Sequence, residues 1–239
     1  MREQTSFSPH AGQANASATV VGSEEEHARW AAAWESESLL CRWLATLLSI
    51  ELDDATLARY RKGEATPLLE LLRDEHGLQV EVERLESALA KLVMLTTPHL
   101  ELAADFAELF LGDARSGAPP YASLYADEKG NFHGAPTERM EARLSQAGYA
   151  VKQEVGEPAD HLAVMLDYLA TRCMALVAAK SSEREAQRDD IREFLGQELC
   201  SWLPRLDARC AQVKIVSDFY PALVALTAAY CQRLGASEH

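Results

Sequence analysis

Apolar residues recur along this chain with the spacing of an α-helix, and no run alternates in the manner of a strand. The spacing predicts a first helix over residues 23–49. Ser23 caps it, Glu24, Glu25 and Glu26 fill its first turn, and Trp30, Trp34, Leu40, Trp43, Leu44, Leu47 and Leu48 form its stripe. Asp53 or Asp54 starts a short helix to Tyr60. Thr66 and Pro67 start a third, which Gly77 stops. A fourth covers residues 79–95, with Val82, Leu85, Leu89 and Leu92 on one side. A fifth covers 99–111, with Leu102, Phe106, Leu109 and Phe110 on one face and Asp105 and Glu108 off it.

Residues 112–135 break this periodicity, holding Gly117, Pro119, Pro120, Gly130 and Gly134 together with Tyr121 and Tyr125. A connection this long inside a compact chain is commonly functional or a linker. It divides the chain into a tail over 1–22 expected to be disordered, a helical domain over 23–112, a hinge over 113–135 and a second helical domain over 136–239. In the second half, helices are expected over 136–148, from Pro158 to about residue 179, from Ser181 or Ser182 to Trp202, at Pro204, and from Ser217 to about Leu234. The fold expectation is all-α, a helical bundle of roughly nine or ten helices in two halves.

Composition refines this picture in three ways. The 239 residues carry a net charge of −14, which repels nucleic acid and anionic lipid and favours cationic partners. The five cysteines are odd in number, lack a CxxC spacing and sit in apolar stretches, as suits small buried side chains in a reducing compartment. No segment approaches 18 consecutive apolar residues, so no membrane span is expected.

Signatures of catalysis are sparse. Phosphate loops, dinucleotide fingerprints, HExxH and GxSxG do not occur. Glu24-x-x-His27 is half of a di-iron signature without its second pair, and Asp189-Asp190-x-x-Glu193 reads as charge on an exposed helix start. Neither supplies a metal site, and no cofactor is expected.

The stretch Gly156-Glu157-Pro158-Ala159-Asp160-His161 is different. Gly156, Glu157, Pro158 and Asp160 fit a helix opening, with proline in the first turn and acids beside the positive dipole end. His161 is not accounted for in that way. Neighbours on a helix point about 100° apart, so Asp160 and His161 do not make a simple acid–base pair.

Glu157-Pro158-Ala159-Asp160-His161 resembles the Glu-Pro-x-Asp-His pattern of the TorD family, which includes the DmsD- and NarJ-type chaperones of molybdenum oxidoreductases. Phe106-x-x-Leu109-Phe110, with Asp105 before it, resembles that family's aromatic-x-x-Leu-Phe helix. Pro120-Tyr121-Ala122-Ser123-Leu124-Tyr125 and Phe219-Tyr220 fit as well. The wording is most similar to the branch that serves trimethylamine N-oxide reductase.

The resemblance implies an all-helical cytoplasmic protein without enzymatic activity. It would bind the twin-arginine signal peptide and apo form of a molybdoenzyme. It would also assist insertion of the molybdenum cofactor into that client and prevent premature export. Asp105, Phe106, Leu109, Phe110, Tyr121, Glu157, Pro158, Asp160 and His161 would form or support the client-binding region. Exchange of halves through the central connection, giving a domain-swapped homodimer, is a further implication. Two other readings remain: a small-molecule or metal-dependent enzyme using Asp160 and His161, and a plain helical scaffold in which both motifs serve packing. On the chaperone reading, Asp160→Ala and His161→Ala are expected to weaken client binding more than folding, and Phe110→Ala to damage folding first.

Overall fold

The structure, a computed structural model, describes residues 12–126, 133–149 and 157–237. Eleven α-helices are present among these residues: α1 (Gly12–Ser49), α2 (Asp54–Arg61), α3 (Thr66–Asp74), α4 (Gln79–Lys91), α5 (Pro98–Phe106), α6 (Ser123–Ala126), α7 (Ala135–Gln146), α8 (Leu162–Ala178), α9 (Arg184–Phe194), α10 (Leu203–Cys210) and α11 (Phe219–Ala236). The all-α expectation holds. No strand is found among the described residues beyond one antiparallel bridge between Tyr121 and His161, and among the same residues no helix is long and apolar enough to cross a membrane.

Several helix boundaries depart from expectation. α1 begins at Gly12, not Ser23, so part of the stretch expected to be a disordered tail is helical. Residues 12–22 contain no proline, and extending an existing helix needs no new nucleus. The rest of that tail, residues 1–11, lies outside the described residues, as do loop residues 127–132 and Gly156. α5 and α9 each end in a wider π-helical turn, Ala107–Leu111 and Leu195–Leu199. The four-residue α6 lies inside the connection expected to be irregular. Elsewhere the punctuation behaves as expected: Gly77 and Gly148 follow α3 and α7 with φ of 66° and 77°.

α1 packs along α8, and α11 packs against α4, α5, α9 and α10. The buried apolar side chains form one continuous cluster drawn from both sides of the central connection. α1 and α8 run antiparallel. The guanidinium of Arg184, just beyond α8, stacks 4.2 Å over the Trp30 ring midway along α1. Further along α1, the Cys41 thiol neighbours that of Cys173, and this neighbour together with burial pushes the Cys173 thiol well above its ordinary value. The five cysteines are free thiols, four of them buried.

Two polar devices fix α11 in this core. At its start, Asp105 accepts the amide N–H groups of Val216 and Ser217 at 2.8 Å each, and Arg84 grips Asp218 with two hydrogen bonds of 2.7 and 2.9 Å. Helical spacing sets Asp105 off the apolar face, yet it is buried; its two amide donors make that tolerable. Burial still outweighs those donors and raises its pKa. Further along, the Tyr230 hydroxyl donates to Glu37 Oε2 at 2.7 Å and lies 3.4 Å from Cys41 Sγ, while His76 Nε2 lies 3.2 Å from Glu37 Oε1.

Phe106, Phe110 and Tyr220 meet edge to face, with centroids 5.2–5.6 Å apart, and the Tyr220 hydroxyl accepts the Leu52 N–H. Gly117 crosses so close to the π turn after α5 that a Cβ there would lie 2.8–2.9 Å from the carbonyl oxygens of Glu108 and Leu109. Arg209 of α10 donates to the carbonyls of Gly117 and Ala114, holding this start of the connection.

Replacing Tyr230 by Phe is expected to cost about 1.5–3 kcal/mol, because it leaves a buried carboxylate short of a donor. The urea midpoint should fall while the slope of the transition stays the same. An unchanged midpoint would show that Glu37 finds another partner.

Candidate functional site

The nine residues singled out in the sequence separate into two groups. Asp105, Phe106, Leu109 and Phe110 are buried in the α5–α11 packing just described. None of them lines the groove described below, and their visible work is to hold α11. Tyr121, Glu157, Pro158, Asp160 and His161 gather at the mouth of α8.

At that mouth the backbone departs from the expected helix. α8 opens at Leu162, not Pro158, with His161 in extended geometry as its N-cap. Residues 158–161 make their hydrogen bonds elsewhere. His161 N–H donates to the Pro158 carbonyl at 3.0 Å, closing a turn. The Asp160 carbonyl accepts Ala122 N–H at 3.0 Å, and Leu162 N–H donates to the Pro120 carbonyl at 2.8 Å. The segment is thus paired to residues 120–122.

A charged helix opening is ordinarily exposed, yet Asp160 is 0% exposed and His161 7%. The Asp160 carboxylate accepts Ser123 N–H on Oδ2 at 2.8 Å and the Thr137 hydroxyl on Oδ1 at 2.9 Å. One side chain therefore ties the first residue of α6 and the first turn of α7 to the approach of α8. Burial of a carboxylate is tolerable only with donors of this kind.

His161 Nδ1 accepts the Ala163 N–H at 3.2 Å, which places any ring proton of the neutral imidazole on Nε2. Burial holds this imidazole below its ordinary value, against the opposing pull of Glu157 and Asp160. The Tyr121 ring stands edge-on to it with centroids 5.0 Å apart. The Tyr121 hydroxyl donates to exposed Glu157 at 2.5 Å. Burial first, then this bond to a carboxylate, pushes the phenol well above its ordinary value.

These residues stand at one end of an open groove of about 800 Å³ between α1, the end of α7 and α8. Arg42, Ala45, Thr46 and Ser49 of α1 form one wall, at spacings that share a helix face. His161, Val164, Asp167, Tyr168 and Thr171 form the facing wall, and Leu144 and Tyr149 contribute from α7 and just past it. Of the nine residues, Glu157 and His161 line this groove. Asp160 does not line it; it positions those that do. Sequence reading misses Arg42, Tyr149 and Asp167; the only local signal of Arg42 and Asp167 is a polar helix face opposite an apolar stripe, and Tyr149 lies past the end of α7.

Buried Asp160 should behave as a structural residue, reversing the sequence expectation. Asp160→Ala strips two buried donors of their acceptor and is expected to cost about 2–5 kcal/mol, whereas Glu157→Gln on the surface should stay within about 0.5 kcal/mol. Chemical denaturation of both variants checks this, and equal stabilities would contradict it.

His161 makes a pH prediction. Its folded pKa is depressed, so below about pH 6.5 the unfolded chain takes up a proton that the fold resists, and stability falls with pH. His161→Asn keeps a capping acceptor without a titrating ring. The variant should lose part of the drop in urea midpoint between about pH 7.5 and about pH 5.5; identical drops would contradict the assignment.

Similarity to known proteins places the chain in a family. The family model described as nitrate reductase delta subunit matches residues 73–208, from the end of α3 into α10. The chaperone protein TorD of Vibrio cholerae serotype O1 (strain ATCC 39315) is 39% identical over 196 residues, covering 80% of this chain and 86% of that protein. TorD of Vibrio vulnificus (strain YJ016) is 37% identical over 195 residues, covering 79% and 88%. TorD of Vibrio parahaemolyticus serotype O3:K6 is 34% identical over 194 residues, covering 80% and 88%. On these matches, the chain belongs to the TorD/NarJ family, that of the nitrate reductase delta subunit and the TorD chaperones.

Proposed function

We propose that this protein is a cytoplasmic, non-catalytic chaperone. It binds the twin-arginine signal peptide and apo form of a molybdoenzyme, holds that client for insertion of its molybdenum cofactor and delays its export. The motif wording, most similar to the branch that serves trimethylamine N-oxide reductase, favours that enzyme as the client.

The observation that carries this reading is the open groove with Glu157 at its mouth, on a chain of net charge −14. A twin-arginine segment is cationic and is followed by an apolar run. Acidic Glu157 and Asp167 suit the first part, and Ala45, Leu144, Ala163 and Val164 suit the second. Tyr121, Pro158, Asp160 and His161 act by holding Glu157 and the start of α8 in place. The buried group of Asp105, Phe106, Leu109 and Phe110 acts at one remove, by fixing α11.

An enzymatic reading of Asp160 and His161 finds no support in this geometry. The carboxylate is spent on Ser123 and Thr137, and Nδ1 is spent on an amide.

Calorimetric titration with a twin-arginine signal peptide tests the proposal. An affinity near micromolar, about −8 kcal/mol, is expected, with clear loss for Lys-Lys and Ala-Ala variants. Binding should weaken as ionic strength rises from about 0.01 to 1 M, leaving an apolar residual. Failure to bind, or equal binding of all three peptides, would overturn the reading.

A further inference from the structure

The groove is charged unevenly along its length, and this permits a more specific assignment that rests on the signal-peptide reading above. Among the residues lining it, Glu157 and Asp167 are the acids and Arg42 is the one cation. Because α1 and α8 run antiparallel, Arg42 lies toward the Thr171 end and Ser49 toward the His161 end. Glu157 therefore marks an acidic mouth and Arg42 a basic far end. Asp167 stands six residues into α8 from His161, about 9 Å along the axis.

Asp167 also differs from the other acids nearby. Glu198 is gripped by Arg139, Asp190 by Arg143 and Arg172, and Glu193 by Arg143. Among the described residues the Asp167 carboxylate enters no salt bridge, and its backbone carbonyl accepts the Thr171 hydroxyl. It is an exposed anion on a groove wall with its lone pairs unspent.

We propose that Asp167 is a specificity-determining residue: with Glu157 it forms a two-point acceptor that reads adjacent arginines separately, one at the mouth and one on the α8 wall. Neighbouring side chains of an extended peptide leave the backbone in opposite directions, so two arginines in sequence reach two separated carboxylates more readily than one shared site. Each carboxylate accepts a guanidinium through two parallel bonds, a geometry that an ammonium does not reproduce. The groove wall from His161 to Thr171 is about 15 Å long, room for four or five extended residues at about 3.3 Å each. Arg42 repels a cation at the far end, so the arginine pair enters only at the Glu157 end.

The test is a set of titrations crossing three proteins with four peptides. The proteins are the full chain, Asp167→Asn and Glu157→Gln; the peptides carry Arg-Arg, Arg-Gln, Gln-Arg and Gln-Gln at the twin position. Each carboxylate should couple to one arginine. Asp167→Asn should weaken Arg-Arg binding about tenfold, weaken one single-arginine peptide similarly and leave the other unchanged. Glu157→Gln should show the opposite preference. Glu185→Gln, an exposed acid outside the groove, controls for the loss of one charge and should change nothing. Matching urea midpoints confirm that the variants are folded.

If the full chain binds Arg-Arg well but Asp167→Asn binds every peptide like the parent, the two-point assignment is wrong and the signal-peptide reading stands. The two-point assignment is equally wrong if Asp167→Asn weakens all four peptides to the same extent. If the full chain binds none of the peptides, the underlying reading fails and this assignment with it.

Discussion

The geometry of the groove depends on one buried carboxylate. Asp160 has no contact with solvent, so its charge must be met from within the protein. The donors it finds belong to residues 37 and 23 positions away, at the starts of α6 and α7. Its own carbonyl pairs with Ala122. Meeting these demands draws residues 120–123, the first turn of α7 and the approach to α8 to one point. Glu157 and His161 then have little choice of position, since each is within three residues of that anchor and also engaged by Tyr121.

The two motifs that carry the family resemblance serve different physical ends. The Phe106-x-x-Leu109-Phe110 helix is a packing element: its rings lock against Tyr220, and Asp105 beside it secures the chain entering α11. The Glu157-to-His161 stretch is a joint, in which Glu157 and His161 face the groove and the residues between them are committed to holding them there. A recurring string of polar residues can thus be mostly scaffolding for a single exposed group.

What is legible in the sequence follows from the range of the forces involved. The stripes of α4, α5 and α11 and the stops at Gly77 and Gly148 are local, and periodicity and backbone preference expose them. The helix start expected at Pro158 lies instead at Leu162, because the competing hydrogen bonds come from residues 120–122, which no local pattern reveals. Asp105 looks like a surface residue for the same reason, its donors being 111 and 112 positions away. The groove is hidden because its walls come from α1 and α8, and each face taken alone reads as an ordinary polar side of a helix. The choice of Glu157 and His161 comes from the motif resemblance, and their contrast with buried Asp160 requires the structure.

The Tyr230–Glu37 contact has a consequence for how the chain reaches its fold. It joins residues 193 positions apart, and Tyr220 and Leu52 are joined across 168. Helical proteins are usually rich in local contacts and fold quickly for that reason. Closing a loop of nearly 200 residues costs on the order of 5 kcal/mol in chain entropy before any contact repays it. Individual helices form in microseconds, but this core is finished only when α11, the last of the described helices to be synthesised, docks between segments made far earlier. Until then the faces of α4, α5 and α10 that it covers lie open to water, so a protein whose proposed task is to shelter an unfinished enzyme passes through a comparably unfinished state of its own.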